Sequence, residues 1–165
     1  HKYYDYVLEV LDYAHQILPL SQKREDNFIA GHSMGGYGTI KFALAEGHRF
    51  AKACPLSAVY DAQTFMDYDW YDYSGEAIAG VSKNATGNDL DPYYLVDQAI
   101  QQGKEIPDLL IMCGTEDALH EDNKKFIKYL DEKQISYCFE DGPGEHDYAY
   151  WDYAIKRAID WLVKG

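Results

Sequence analysis

A serine between two glycines is the first feature of this sequence that could do chemistry. Residues 31–35 read Gly-His-Ser-Met-Gly and fit the pattern G-x-S-x-G, with Ser33 at the centre. The motif lies between an apolar run at 28–30, typical of a strand, and a helical pattern that carries Ile40 and Leu44. This context predicts a sharp turn that exposes the serine hydroxyl as a nucleophile. The alternative is a glycine-rich turn whose serine only caps the helix.

Crowding gives a physical reason for the glycines of this motif. A side chain next to the nucleophile would collide with the neighbouring strand or helix, so the position requires glycine. We expect the crowded region to extend through the second half of the motif to Gly36 and Gly38.

Ser33 needs a general base, because an unassisted hydroxyl is a weak nucleophile. His146 follows the last predicted strand, in a loop at 142–146 that glycine and proline can shape, and is the preferred candidate. His120 stands in front of a predicted helix and is the reserve. The remaining histidines lie in or near the first two predicted helices or within the motif, where we expect only packing or local hydrogen bonds: His1, His15, His32 and His48.

The acid that orients the histidine should lie between Ser33 and His146 in the chain, just beyond the end of a strand. Asp117 meets both conditions, since it follows the apolar run at 109–113. Glu116 and Asp122 are neighbours that could replace it. Two further acidic residues could contact the histidine instead, Glu145 and Asp147.

The elements that must position these residues alternate between strand and helix. The first helix has an apolar stripe that runs from Tyr4 through Val7 and Leu11 to Leu18. The last helix turns Trp151 and its apolar neighbours up to Leu162 inward, Ile159 among them. Strands are predicted at 51–56 and 109–113, with a period-two pattern from 135 to 139. Repeated strand–helix units predict an α/β fold whose mostly parallel sheet has helices on both faces.

Residues 57–105 interrupt this alternation and predict an insertion or cap over the site. Its first part interleaves aromatic and acidic residues, so Tyr60, Trp70 and Tyr71 could form a wall that binds an acyl or sugar group. The alternative is a cap that is packed on the core by its own aromatic residues. The aspartates do not follow the spacing of a calcium-binding loop, and we expect no metal site.

Composition excludes several classes of function. The chain has 165 residues, 47% of them hydrophobic, and a formal net charge of -13, which repels nucleic acids and anionic membranes. It contains no apolar run that approaches the ~20 residues of a membrane helix. Cys54, Cys113 and Cys138 each lie in an apolar stretch and predict buried free thiols, which slightly favour a reducing compartment such as the cytoplasm.

Three motifs together resemble the esterase D family, whose members include tributyrin, feruloyl and acetylxylan esterases. They are the run from Gly31 to Gly38, the run from Gly114 to Asp117, and the run from Gly142 to Asp147. The resemblance implies an α/β-hydrolase fold, Ser33, Asp117 and His146 in the roles described above, and no cofactor. The segment around His146 looks closer to tributyrin and carbohydrate esterases than to S-formylglutathione hydrolases.

The sequence departs from this family pattern in front of Ser33, where members carry several strands and an oxyanion loop. We therefore expect residues 1–165 to be one incomplete α/β-hydrolase domain, completed by an N-terminal part of about 100 residues. The backbone N–H of Met34 can supply one oxyanion donor, and the second is expected from that upstream loop.

The sequence thus predicts a serine esterase that forms an acyl-enzyme on a short-chain acyl or carbohydrate-linked ester. An acyltransferase would use the same residues. The rival from another class is a catalytically silent carbohydrate-binding or scaffold domain with the same fold. No pattern in the sequence indicates the oligomeric state.

Overall fold

Four parallel strands form the centre of the fold. The computed structural model describes residues 2–67 and 75–164, and its sheet has the strand order β1-β2-β3-β4. The strands are β1 (Phe28–His32), β2 (Lys52–Leu56), β3 (Asp108–Gly114) and β4 (Cys138–Gly142). Each strand pairs in parallel with the next one in the chain, as predicted for strands joined by helical crossovers.

Helices supply these crossovers and cover the sheet. Those within the described residues are α1 (Lys2–Ile17), α2 (Met34–Ala45), α3 (Ala62–Asp67), α4 (Gly75–Ala79), α5 (Pro92–Gln101), α6 (His120–Glu132) and α7 (Tyr148–Val163). Single 3-10 turns at Arg24–Asp26 and Gly47–Arg49 precede β1 and β2. None of the helices in these described ranges is both long enough and apolar enough to cross a bilayer.

One layer of the core lies on each face of the sheet. On one face, α2, α5 and α6 pack on alternate residues of β2 and β3, and the fully buried side chains there include Ile40, Val96, Leu109, Ile111 and Phe126. On the other face, α7 packs on the sheet, and its layer includes Cys54, Leu56, Leu110, Met112, Trp151, Ala154 and Ala158. The alternation along each strand sends successive side chains to opposite layers. The predicted α/β class is therefore confirmed.

The register brings the carboxyl ends of the strands together at one end of the sheet. His32 at the end of β1 pairs with Leu56 at the end of β2, and Gly114 at the end of β3 pairs with Gly142 at the end of β4. The segments that leave these strands therefore meet beyond the carboxyl ends, where ligand sites of parallel sheets lie.

The first helix packs with the predicted stripe. The Tyr4 ring stacks on Phe42 of α2 with 4.5 Å between ring centroids, and its hydroxyl donates to Glu46. Leu18, which we assigned to the same stripe, follows the last helical residue and is exposed.

Several expectations about the later elements were wrong. The last strand begins at Cys138, so the period-two pattern at 135–139 overlaps it only at 138 and 139, and the Cys138 side chain is exposed because β4 is an edge strand. Ile159 was expected to face inward but is half exposed, since Ala158 and Leu162 define the buried face of α7. The insertion at 57–105 also contains α5, a regular helix whose apolar face we did not recognise.

Candidate active site

Ser33 lies in a strained turn between β1 and α2. It has φ 53° and ψ -118°, a conformation that residues other than glycine adopt rarely. Its N–H donates to the carbonyl oxygen of Leu56 at 2.9 Å, which ties the turn to the end of β2. The Ser33 side chain makes no capping hydrogen bond to α2. The alternative interpretation, a serine that serves only as a helix cap, is therefore disfavoured.

Crowding explains two of the nearby glycines and fails to explain two others. A Cβ on Gly31 would lie 2.5 Å from the carbonyl oxygen of Gly35, and one on Gly36 would lie 2.8 Å from the Ala58 Cβ. Gly35 and Gly38, in contrast, have open space where a Cβ would stand. The expectation that crowding extends to Gly38 was wrong, because successive helical positions point in different directions and only Gly36 faces the end of β2.

His146 contacts the Ser33 hydroxyl beyond the carboxyl ends of the strands. The Nε2 atom of His146 lies 2.9 Å from the Ser33 Oγ, although 113 residues separate the two in sequence. His146 stands in the loop between β4 and α7, and about a third of its side chain is exposed. The imidazole is therefore within hydrogen-bond reach of the serine and open to solvent at the same time.

Asp117 holds the opposite nitrogen of the same imidazole. Its carboxylate oxygens lie 2.9 and 3.0 Å from His146 Nδ1, and its side chain is fully buried. The Leu119 N–H donates to the same carboxylate at 2.8 Å. An ionised carboxylate can only accept hydrogen bonds, so the proton belongs on Nδ1. The Nε2 lone pair then points at Ser33 and can accept its proton.

Two of the alternative acids bind backbone N–H groups and leave the histidine alone. The Glu116 carboxylate accepts from the Gly144 N–H at 2.5 Å, and this hydrogen bond holds the pKa of Glu116 below its usual value. The Asp122 carboxylate accepts from the N–H groups of Tyr60 and Asp61, while burial raises its pKa. Each of these carboxylates thus fixes a loop near the site.

The two acids next to His146 also have other roles. Asp147 is the N-cap of α7 and accepts from the Tyr150 N–H at 3.0 Å. The Glu145 side chain is exposed, and its backbone carbonyl accepts from the Asp147 N–H. The structure therefore brings only Asp117, among the five acids considered, to the imidazole within the described residues.

The reserve histidine lies elsewhere. His120 begins α6, and its Nε2 lies 3.0 Å from an Asp141 carboxylate oxygen. The other described histidines pack or bond locally, as expected: His15 contacts Asn27, His32 stacks on Trp151, and His48 lies in the 3-10 turn before β2. His1 lies outside the described residues.

Met34 is the first residue of α2, directly after Ser33. The first N–H groups of a helix have no partner within the helix, and the helix dipole adds partial positive charge there. The Met34 N–H is therefore of the right kind to bind an oxyanion that forms at Ser33.

The structure describes one of the three aromatic residues that were predicted to form a substrate-binding wall. Tyr60 is fully buried and stacks on Phe126 at 3.9 Å between ring centroids, so its position favours the packing alternative over a substrate-binding wall. Trp70 and Tyr71 lie outside the described residues.

The contact between Trp151 and His146 was not predicted from the sequence. The apolar character and helical spacing of Trp151 predicted a buried position, and nothing in that pattern indicated that its ring would lie 4.8 Å from the His146 ring. The role of Glu116 in fixing the histidine loop was not predicted either, since Glu116 was considered only as a replacement for Asp117.

A cavity of about 630 Å³ adjoins the turn on the side of α1. Its lining includes Met34, Gly35, Ile78 and Leu90, whereas Ser33 and His146 do not contribute to it. The cavity thus lies beside the nucleophile and not over it. In residues 2–67 and 75–164 there is also no group of three or more histidine, cysteine, aspartate or glutamate side chains arranged to hold a metal ion.

Comparison with known proteins found a matching family and similar sequences. The model of the family described as putative esterase matches residues 1–162. An acetyl esterase of Caldicellulosiruptor saccharolyticus is 28% identical over 167 residues, which cover 94% of this chain and 61% of that protein.

Two solved structures are more similar. FphF, a fluorophosphonate-binding serine hydrolase of Staphylococcus aureus in a substrate-bound form, is 64% identical, with a TM-score of 0.97 over 100% of this chain and 65% of that one. A structure described as S-formylglutathione hydrolase (FrmB) of Staphylococcus aureus is also 64% identical, with a TM-score of 0.92 over 98% of this chain and 64% of that one. The chain therefore spans slightly less than two thirds of the length of these relatives.

Proposed function

Because this chain belongs to the family described as putative esterases, we propose that the protein is a serine carboxylic-ester hydrolase that forms its acyl-enzyme at Ser33. The observation that carries the proposal is the distance of 2.9 Å between His146 Nε2 and Ser33 Oγ, with Asp117 on the opposite nitrogen. A hydroxyl, an imidazole and a buried carboxylate in this order form the hydrogen-bonded chain that activates a serine.

The first half of the reaction acylates the serine. His146 Nε2 takes the proton of Ser33 as the Oγ–carbon bond to the substrate carbonyl forms, and the carbonyl oxygen becomes an oxyanion. The Met34 N–H donates to that oxyanion. The intermediate then expels the alcohol oxygen, which receives the proton from His146 Nε2, and an ester to Ser33 remains.

The second half repeats these steps with water. His146 removes a proton from the water molecule, whose oxygen adds to the acyl carbon, and Ser33 recovers its proton as the acid leaves. Throughout, Asp117 accepts the hydrogen bond from Nδ1 and stabilises the imidazolium that forms transiently. The conformation of Ser33 helps because a strained turn keeps the Oγ exposed next to the imidazole.

We propose short-chain acyl or carbohydrate-linked esters as the substrates. The acetyl esterase relative supports a small acyl group, and the net charge of -13 favours neutral substrates over strongly anionic ones. The protein is expected to need no cofactor, because this chemistry uses only side chains and water.

Hydrolysis of S-formylglutathione is a second candidate, supported by the 64% identity to the protein described as an S-formylglutathione hydrolase. The same residues would attack a thioester, and the leaving group would be a thiol. This candidate conflicts with our expectation from the segment around His146, so a direct comparison of the two substrates is needed.

The test is a substrate panel on the complete gene product. We would measure kcat/KM for p-nitrophenyl acetate, p-nitrophenyl butyrate, an acetylated xylose, methyl ferulate and S-formylglutathione, each with the Ser33→Ala variant as control. Turnover of acetyl or sugar esters that depends on Ser33 supports the proposal. A preference of more than about 200-fold for S-formylglutathione would favour the second candidate, since one methylene in a pocket gives a discrimination of only about 10–200-fold.

Two rival functions have their own measurements. An acyltransferase would give a transferred ester in product analysis with an added sugar or lipid alcohol, whereas a hydrolase gives the free acid. A silent scaffold domain would not react with a fluorophosphonate, which loses fluoride as an activated serine oxygen bonds to phosphorus.

A further inference from the structure

Trp151, in the first turns of α7, contacts three other segments of the chain near the site. Its indole N–H donates to the Ser57 Oγ at 3.1 Å, and both groups are buried. Its ring stacks on His32, the residue before the nucleophile, at 4.2 Å between centroids and 15° between planes. The His146 ring stands nearly perpendicular to the indole, at 4.8 Å and 86°. Trp151 thus touches the segments that carry both Ser33 and His146.

Ser57 gives the indole a rigid partner. It follows β2 with φ 44°, in the left-handed region, and its N–H donates to the Met112 carbonyl oxygen at 2.7 Å. Its side chain is completely buried. The Ser57 Oγ is therefore fixed by the sheet, and the indole that bonds to it is fixed with it.

A buried thiol lies near both Ser57 and the acid. Burial, followed by the charge of Asp117, raises the pKa of Cys113, so the group stays a neutral thiol beside the carboxylate. Ser57 therefore lies near Cys113 as well as Trp151, which contacts the imidazole ring.

We propose that Trp151, held by Ser57, is a positioning residue that keeps the His146 imidazole aligned with Ser33. The inference rests on the proposed function, because alignment matters for proton transfer from the serine. Asp117 restrains one nitrogen of a ring that is a third exposed, and a ring held at one atom can still swing about that hydrogen bond. The perpendicular indole removes this freedom. Catalytic groups need placement within about 0.5 Å, which one hydrogen bond does not guarantee.

The substitution Trp151→Phe separates positioning from packing. Phenylalanine keeps an aromatic ring in the layer between α7 and the sheet but has no N–H for Ser57. Ser57→Ala removes the same hydrogen bond from the other side with a minimal change of volume. Trp161→Phe is the matched control, since Trp161 lies on the same helix, packs on the same layer, and contacts Lys52 instead of His146.

The kinetic measurement uses the complete gene product and p-nitrophenyl acetate, with active sites counted by end-point titration with a fluorophosphonate. Trp151→Phe and Ser57→Ala should each lower kcat per titrated site by about 10-fold with KM within about 2-fold, since a misplaced base slows the chemical step. The double variant should lose no more than either single variant, because all three lack the same hydrogen bond. A packing role alone would lower only the fraction of titratable sites.

A second measurement does not depend on turnover. In proton NMR, the His146 Nδ1–H in its hydrogen bond to Asp117 should give a resonance that Trp151→Phe broadens or removes and Trp161→Phe preserves. Unchanged kcat per site and an unchanged resonance in both Trp151→Phe and Ser57→Ala would overturn the inference. If the wild type lacks turnover that depends on Ser33 while the resonance still responds to Trp151→Phe, the proposed function fails and the positioning role stands.

Discussion

Gly114 lies directly against the backbone of Gly144, so closely that a Cβ on Gly114 would stand 2.1 Å from the Gly144 carbonyl oxygen. Gly114 ends β3, and Gly144 belongs to the loop that carries His146. The same loop is bound to Glu116 through the hydrogen bond from the Gly144 N–H. The end of β3 therefore sets the position of the histidine loop as well as that of Asp117.

Gly114→Ala should displace the histidine loop. The added methyl group meets backbone that cannot rotate away, so we expect a loss of about 1–3 kcal/mol in the free energy of unfolding and a lower kcat. Gly142, its partner in the register of β3 and β4, has open space at the Cβ position and provides the matched control. Urea denaturation and ester kinetics on both variants are the measurements. Equal effects of the two alanines would contradict the crowding argument.

Ser33→Ala should abolish turnover while leaving the fold intact. Removal of the nucleophile from such a triad lowers kcat by about 10⁴-fold or more. The change also removes no capping hydrogen bond, since the Ser33 side chain makes none to α2, and circular dichroism should therefore be unchanged. Ser21→Ala, in front of β1 and bonded to Asp26, is a control that should keep full activity. An active Ser33→Ala enzyme would refute the assignment of the nucleophile.

The two histidines that follow strands β3 and β4 should differ sharply on substitution. His146→Ala removes the only base within hydrogen-bond reach of Ser33 among the described residues, and kcat should fall by about 10⁴-fold. His120→Ala removes a contact to Asp141 and no contact to Ser33, so the base stays in place and kcat should change by less than about 3-fold. Steady-state kinetics decide between them. If His120→Ala were the more damaging change, we would have chosen the wrong base.

The hydrogen bond from Gly144 should make part of the stability depend on pH. The pKa of Glu116 in the folded protein lies below its usual value of 4.5, because the charged carboxylate accepts this bond. For a carboxyl group with a lowered pKa, the stabilisation is present above 4.5 and is lost as the pH falls through the folded value. The urea midpoint of wild type should therefore exceed that of Glu116→Gln at pH 6.

At pH 3 this difference in midpoint should have shrunk. Glu145→Gln, a change in the exposed part of the same loop, should show little difference at either pH and serves as the control. A difference between wild type and Glu116→Gln that grew as the pH fell would contradict the direction of the pKa shift.

Local patterns were sufficient to predict the parts of the site that strand ends supply. The G-x-S-x-G motif, the acid after the third strand and the histidine after the fourth each follow a predicted strand, and a parallel sheet brings such ends together. The distances among Ser33, Asp117 and His146 agree with that reasoning. Their catalytic roles, and the expectation that an upstream loop supplies a second oxyanion donor, stay predictions.

Contacts between distant segments could not be predicted in this way. The hydrogen bond between Trp151 and Ser57 joins residues that are 94 positions apart, and no periodicity encodes such a pairing. The prediction that Cys138 is buried was wrong for a related reason. Its exposure depends on the place of β4 in the strand order and not on the apolar residues next to it in sequence. The position of Tyr60 could not be predicted either, since an aromatic side chain fits a substrate-binding wall as well as the stack on Phe126.

The edge position of Cys138 makes it the cysteine of residues 1–165 that a dye can label selectively. All three cysteines lie in the described part of the chain, and only Cys138 is exposed. Maleimides react with the thiolate, and burial raises the pKa of Cys54 to about 12 and also raises that of Cys113, so both should stay unlabelled in the folded state. A fluorophore attached at Cys138 would sit on the strand that leads into the His146 loop. Movement of that loop when a ligand binds could then be followed by fluorescence without an engineered cysteine.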